Sequence, residues 1–95
     1  MSRAFVKEDS GDAPRRRFAL PDPWDPGYNA AAAVALLDAA RDGETQEAEA
    51  ATGYRWGEPS LHPHVRRLLD QELARPLPEQ DARFIQLAKR FLRGL

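Results

Sequence analysis

Five apolar residues late in the sequence, Phe84, Leu87, Ala88, Phe91 and Leu92, recur at i, i+3, i+4, i+7 and i+8. That spacing gathers them on one stripe of a helix but splits them between both faces of a strand. The flanking charges agree with a helix. Glu79 and Asp81 lie at the end where the helix dipole favours anions, and Lys89, Arg90 and Arg93 at the end where it favours cations. Pro78 is suited to open this helix and Gly94 to close it. A helix with one apolar stripe needs other elements to bury it, and the rest of the chain supplies more helices.

Val65, Leu68, Leu69 and Leu73 form a second stripe, on a helix that begins at Ser60 or His62 and stops before Pro76 and Pro78. Its outward residues are Arg66, Arg67, Asp70, Gln71 and Glu72. Residues 30–42 are alanine-rich and strongly helix-forming. Ala30, Ala33, Val34, Leu37 and Ala40 or Arg41 make their apolar face, with Asp25-Pro26 as the entrance, Asn29 as a rival cap and Gly43 as the stop. Thr45 is the expected cap of a short helix over residues 46–52, ended by Gly53. Tyr54 and Trp56 follow, each with a large apolar area and one polar handle. They are expected to be buried where the helices meet, with Trp56→Ala costing about 3–5 kcal/mol.

No alternating strand pattern competes. The expected fold is all-α, a small bundle of about four helices over residues 27–95, behind an extended, proline-rich tail over residues 1–26. The tail holds Pro14, Pro21, Pro23 and Pro26, balanced charges and no periodicity, so it buries too little to offset its ordering entropy. Phe5, Val6, Phe18, Leu20 and Trp24 are its apolar anchors. Phe18, Leu20 and Trp24 either lie back on the chain's own helices or face a partner. The partner-binding candidates are Arg3, Phe5, Val6, Lys7, Arg15, Arg16, Arg17 and Trp24.

Several functions are disfavoured by composition. The chain has no cysteine, which removes disulfides, thiolate metal sites and cysteine nucleophiles. His62 and His64 stand at i, i+2 and do not share a helix face; no Glu-x-x-His completes a metal set. There is no Gly-x-Ser-x-Gly, and the glycines are scattered as helix stops instead of forming a phosphate loop. The expectation is a chain that is not an enzyme and takes no cofactor or metal. No apolar run approaches the roughly 18 residues of a membrane span, and no charged-then-apolar leader opens the sequence; the expected setting is the cytoplasm, with no membrane partner. A net charge of −1 gives no global pull toward nucleic acid. The charge is nevertheless unevenly spread, −4 over residues 38–58 and +3 over residues 59–95, which can orient a partner.

Two further readings stand beside a partner-binding protein. Thr45 to Tyr54 has the look of the first half of a helix-turn-helix, with Val65 to Leu69 as the recognition helix and Arg66 and Arg67 as DNA contacts. Gly53 and Val65 are too far apart for the usual turn of about 3–4 residues, so this would be a degenerate version. A small alanine-rich bundle can also gain buried surface by self-association into a homo-oligomer.

The opening Met1-Ser2-Arg3-Ala4-Phe5-Val6-Lys7-Glu8 resembles that of some bacterial Gre-type proteins, transcript-cleavage and elongation factors that enter the secondary channel of RNA polymerase. In those chains too an acidic, proline-bearing stretch follows, as Asp9 to Pro14 does here. The resemblance implies RNA polymerase as the partner and transcription as the process. Gly43-Glu44-Thr45-Gln46-Glu47 echoes the family's acidic metal-holding tip, but the helices on either side are too short for its channel-probing hairpin. The resemblance therefore extends to the tail and not to the cleavage activity. The rest of the chain is similar to small bacterial helical proteins.

Overall fold

The computed structural model describes residues 18–95. Four α-helices follow one another among them: α1 Tyr28–Arg41, α2 Thr45–Thr52, α3 His62–Leu73 and α4 Ala82–Arg93. Single 3-10 turns, Pro59–Leu61 and Leu77–Glu79, lead into α3 and α4. No described residue lies in a strand, so the fold is the expected all-α bundle.

The centre of the bundle is α1. It packs against α2, α3, α4 and the first 3-10 turn. A helix touched on so many sides needs small side chains, and Ala32 and Ala33 are fully buried beside Leu36 and Leu37. The buried face shares Ala33 and Leu37 with the expected one but is turned away from it elsewhere. Val34 is exposed, while Tyr28, Ala32, Ala35, Leu36 and Ala39 are inside. Alanines give little contrast around a helix, so the larger side chains decide its rotation, and Tyr28 fixes it from the first turn. The Tyr28 hydroxyl donates to the Thr52 carbonyl at 2.7 Å, satisfying a C-terminal carbonyl of α2.

Several helix ends also differ in detail from their expected form. The residue preceding α1 is Gly27, with no side-chain cap. Asp25 acts just before it, its Oδ1 accepting from the Gly27 N–H at 2.7 Å. Asn29 is no cap; its Oδ1 accepts from the Tyr54 hydroxyl at 2.6 Å. Gly43 takes the left-handed conformation after α1, and Glu44, not Thr45, is the cap position of α2. Proline 78 belongs to the second 3-10 turn, and α4 starts later, at Ala82. Asp81 is the reason: its Oδ1 accepts from the Phe84 N–H at 3.1 Å, the bond that favours aspartate at a helix start.

The α3 stripe starts one turn earlier and ends one turn sooner than its sequence implied. Leu61, Val65 and Leu69 are buried, Leu68 is half-buried and Leu73 is exposed. They meet Leu87, Ala88 and Phe91 of α4 in one continuous core. Tyr54 and Trp56 are half-buried and cover that core from the side. The Trp56 ring stands edge-on to Phe91, with centroids 4.8 Å apart. Phe91, at 0% exposure, takes the central position expected of the two aromatics.

Candidate functional site

The chain enters the bundle through a turn built by its own backbone. The Asp25 N–H donates to the Asp22 carbonyl at 2.9 Å, and the Tyr28 N–H to the Asp25 carbonyl at 2.9 Å. Phe18 and Leu20, on the approach, pack against the core. Trp24, inside the turn, does not: it is 81% exposed. Of three anchors with the same sequence character, two lie back and one faces outward. The other partner-binding candidates, Arg3, Phe5, Val6, Lys7, Arg15, Arg16 and Arg17, lie outside the described residues.

Charge divides the surface. Asp38, Asp42 and Glu44 line a groove beside α1, together with Phe18, Ala19 and Val34. On the opposite sign, Arg83, Lys89, Arg90 and Arg93 are exposed along α4. Among the described residues these four form no ion pair. Arg83 and Arg90 border a second groove of about 320 Å³, whose walls include Ala40, Trp56 and Leu87. Arg66 and Arg67 are exposed on α3, which follows α2 after the connection over residues 53–61.

The junction of α3 and α4 is held by polar groups that the sequence pattern did not reveal. Arg41 Nη1 donates to Asp81 Oδ2 at 2.6 Å. The Asp81 N–H donates to Glu72 Oε2 at 2.8 Å, and the same oxygen accepts from Arg75 at 3.3 Å. Gln80 Nε2 donates to the carbonyls of Leu73 and Arg75, closing the end of α3. The hydrogen bond from Arg41, followed by that from the Phe84 N–H, holds the Asp81 carboxyl below the usual carboxylate range. The same hydrogen bond raises the Arg41 guanidinium further above its ordinary value.

A pH dependence follows. A lowered folded-state pKa contributes stability that is complete above the unfolded value, about 3.9 for aspartate, and is lost as pH falls toward the folded value. Asp81→Ala should lower the melting temperature at neutral pH, and the gap between wild type and variant should narrow on acidification through and below that value. Thermal melts of both proteins from about pH 7 to about pH 2 test this; a gap constant with pH would contradict it.

The two histidines differ: the buried His64 Nδ1 has no hydrogen-bond partner among the described residues, whereas His62 is held locally. His62 Nε2 lies 3.0 Å from the Gly57 carbonyl, and its ring is edge-on to Phe91. Among the described residues no three His, Asp or Glu side chains converge to hold a metal. Nor is any helix among them long and apolar enough to cross a membrane. Comparison of the chain with family models, curated proteins and solved structures finds no match.

Proposed function

We propose that this protein is a non-catalytic accessory factor that docks onto a larger protein assembly through its N-terminal segment and Trp24. The observation that carries the reading is Trp24 itself. Its indole is 81% exposed on a hydrogen-bonded turn, directly continuous with the apolar-spotted tail. A large aromatic held in water loses apolar burial that its neighbours Phe18 and Leu20 gain, and tryptophan is among the residue types that dominate binding interfaces. The likeness of Met1 to Glu8 to the Gre-type opening names bacterial RNA polymerase as the assembly, and with it the cytoplasm.

The experiment is binding of the full-length chain to purified bacterial RNA polymerase. Wild type is expected to bind. Trp24→Ala and a Phe5→Ala/Lys7→Ala variant should each bind at least about tenfold more weakly, in line with hot-spot losses above about 1–2 kcal/mol, while their melting temperatures stay within about 2 °C of wild type. Substitution is preferable to removing the tail, because Phe18 and Leu20 belong to the packed structure. Absence of binding by wild type, or equal binding by all three chains, would remove the reading.

A further inference from the structure

The groove beside α1 combines an apolar wall that includes Phe18, Val34 and Ala39 with the acids Asp38, Asp42 and Glu44. Asp38 and Asp42 are i, i+4 neighbours on one face of α1, and both are exposed. Neither forms an ion pair among the described residues. Glu44 has an interaction of its own, so the two aspartates are the acids left for a cation. Their position is unfavourable for the helix itself. Asp38 stands in the last turn of α1 and Asp42 is its C-cap residue, where the helix dipole disfavours anions. The cation between them, Arg41, donates to Asp81 at the start of α4. Helix formation gives no reason for two carboxylates there, whereas a cation arriving from outside the bundle does.

We propose that this groove receives Arg15, Arg16 and Arg17 of the same chain, clasping the tail to Asp38 and Asp42. Connectivity selects the occupant. Phe18, the first described residue, is itself part of the groove wall, and the three arginines are the next residues outward. Three extended residues span about 10 Å, more than the about 6 Å that separates the two aspartates along α1. Arginine stems also cover apolar surface while their heads stay in water, and Val34, in the same wall, is 42% exposed. Single surface ion pairs are weak. A tether this short supplies an effective concentration of about millimolar or more, so pairs that would not hold a free peptide can hold this segment.

Other occupants fit less well. A phosphate backbone is repelled by the carboxylates. A divalent cation lacks ligands, since among the described residues no three His, Asp or Glu side chains converge. A basic segment of another protein would have to displace arginines that start from the groove wall.

The clasp goes beyond the docking reading above and does not depend on it. It assigns the arginine triplet to the chain's own bundle and leaves Arg3, Phe5, Val6, Lys7 and Trp24 to a partner. The two are separable, because the clasp is measured on the purified chain alone, with no polymerase present.

The test is limited trypsin digestion of the full-length chain, with the cleaved bonds read by mass spectrometry. Cleavage after Arg15 and Arg16 reports on the clasp, and cleavage after Arg3 and Lys7 is the control within the same tail. When release is fast, cleavage follows the released population. D38N/D42N keeps the side-chain shape and removes the charge. It should raise cleavage after Arg15 and Arg16 by about threefold or more relative to the controls. Salt at about 0.5 M should bring wild type to the level of the variant and change the variant little, because it screens the pairs. Removing anions from the C-terminal turn of α1 does not weaken the helix, and far-UV circular dichroism checks that helicity is retained; if it is lost, the salt series on wild type carries the same test. A cleavage ratio unmoved by substitution and by salt, or a rise shared equally by the control sites, would overturn the clasp. So would protection that disappears on about hundredfold dilution, which would place the arginines of a second copy in the groove.

Discussion

Phe91→Ala should be the most damaging single truncation in this bundle, lowering stability by about 3–5 kcal/mol. The ring is fully buried. Trp56 closes on it edge-first at 4.8 Å, and His62 at 6.0 Å, both at steep interplanar angles. Such pairs add about 0.5–1.5 kcal/mol beyond area burial. Removing the ring takes away the surface on which Trp56 rests, so the site cannot refill from that side without unpacking the loop. A domain of this size has a total stability of about 5–15 kcal/mol, and each kcal/mol is worth about 4–8 °C in melting temperature. The expected drop is therefore about 12 °C or more. Trp56→Ala should cost less than Phe91→Ala, because Trp56 is half-buried and covers a core that Phe91 fills. Thermal or urea melts of the two variants decide this. A larger loss for Trp56→Ala would restore the aromatic pair after α2 as the centre of the fold.

That ordering reverses the sequence expectation, and the reason is instructive. Periodicity identified the α4 stripe, and Leu87, Ala88 and Phe91 are buried as the pattern required. Gly53 and Gly94 end their helices in the left-handed conformation that their positions implied. These features are local, so the sequence contains them. The rotation of α1 was not legible, because seven of its fourteen residues are alanine and turning such a helix changes its apolar face very little. Tyr28 fixes the rotation by reaching the end of α2, a contact between residues far apart in sequence. Asp81 joins α1, α3 and α4 through Arg41, Glu72 and Phe84; as a string, the surrounding residues show only a proline-rich corner. The same limit applies to the candidate surfaces. The prominence of Trp24 could be read from an aromatic between prolines and aspartates, but not that it is exposed while Phe18 and Leu20 pack against the core. The α4 groove could not be read at all, since Ala40, Trp56 and Arg90 come together only in the fold.

Gly57→Ala should cost about 2–4 kcal/mol, and Gly53→Ala only about 1–2 kcal/mol. The two glycines have nearly the same backbone, with φ of +86° and +81°. Each therefore carries the left-handed penalty of about 1–2 kcal/mol when a Cβ is added. They differ in what the new methyl meets. At Gly53 nothing lies within 4 Å. At Gly57 the Cβ would sit 3.1 Å from the Gly94 Cα and 3.5 Å from the Phe91 carbonyl oxygen. The second is an ordinary van der Waals distance, but the first falls on backbone at the closed end of α4, where no side chain can swing aside; the loop or the helix end must give by a few tenths of an ångström, at a cost of about 1–2 kcal/mol, within the range typical of overpacking. A shift of either element also strains the bond between the Gly57 carbonyl and His62, which ties this loop to the start of α3. Gly57 thus holds the loop against α4, whereas Gly53 only ends a helix. Melts of the two alanine variants under one buffer condition isolate that difference. Equal losses would mean that the loop yields freely, and that Trp56 is held over Phe91 by its own packing instead of by the close approach of Gly57 to Gly94.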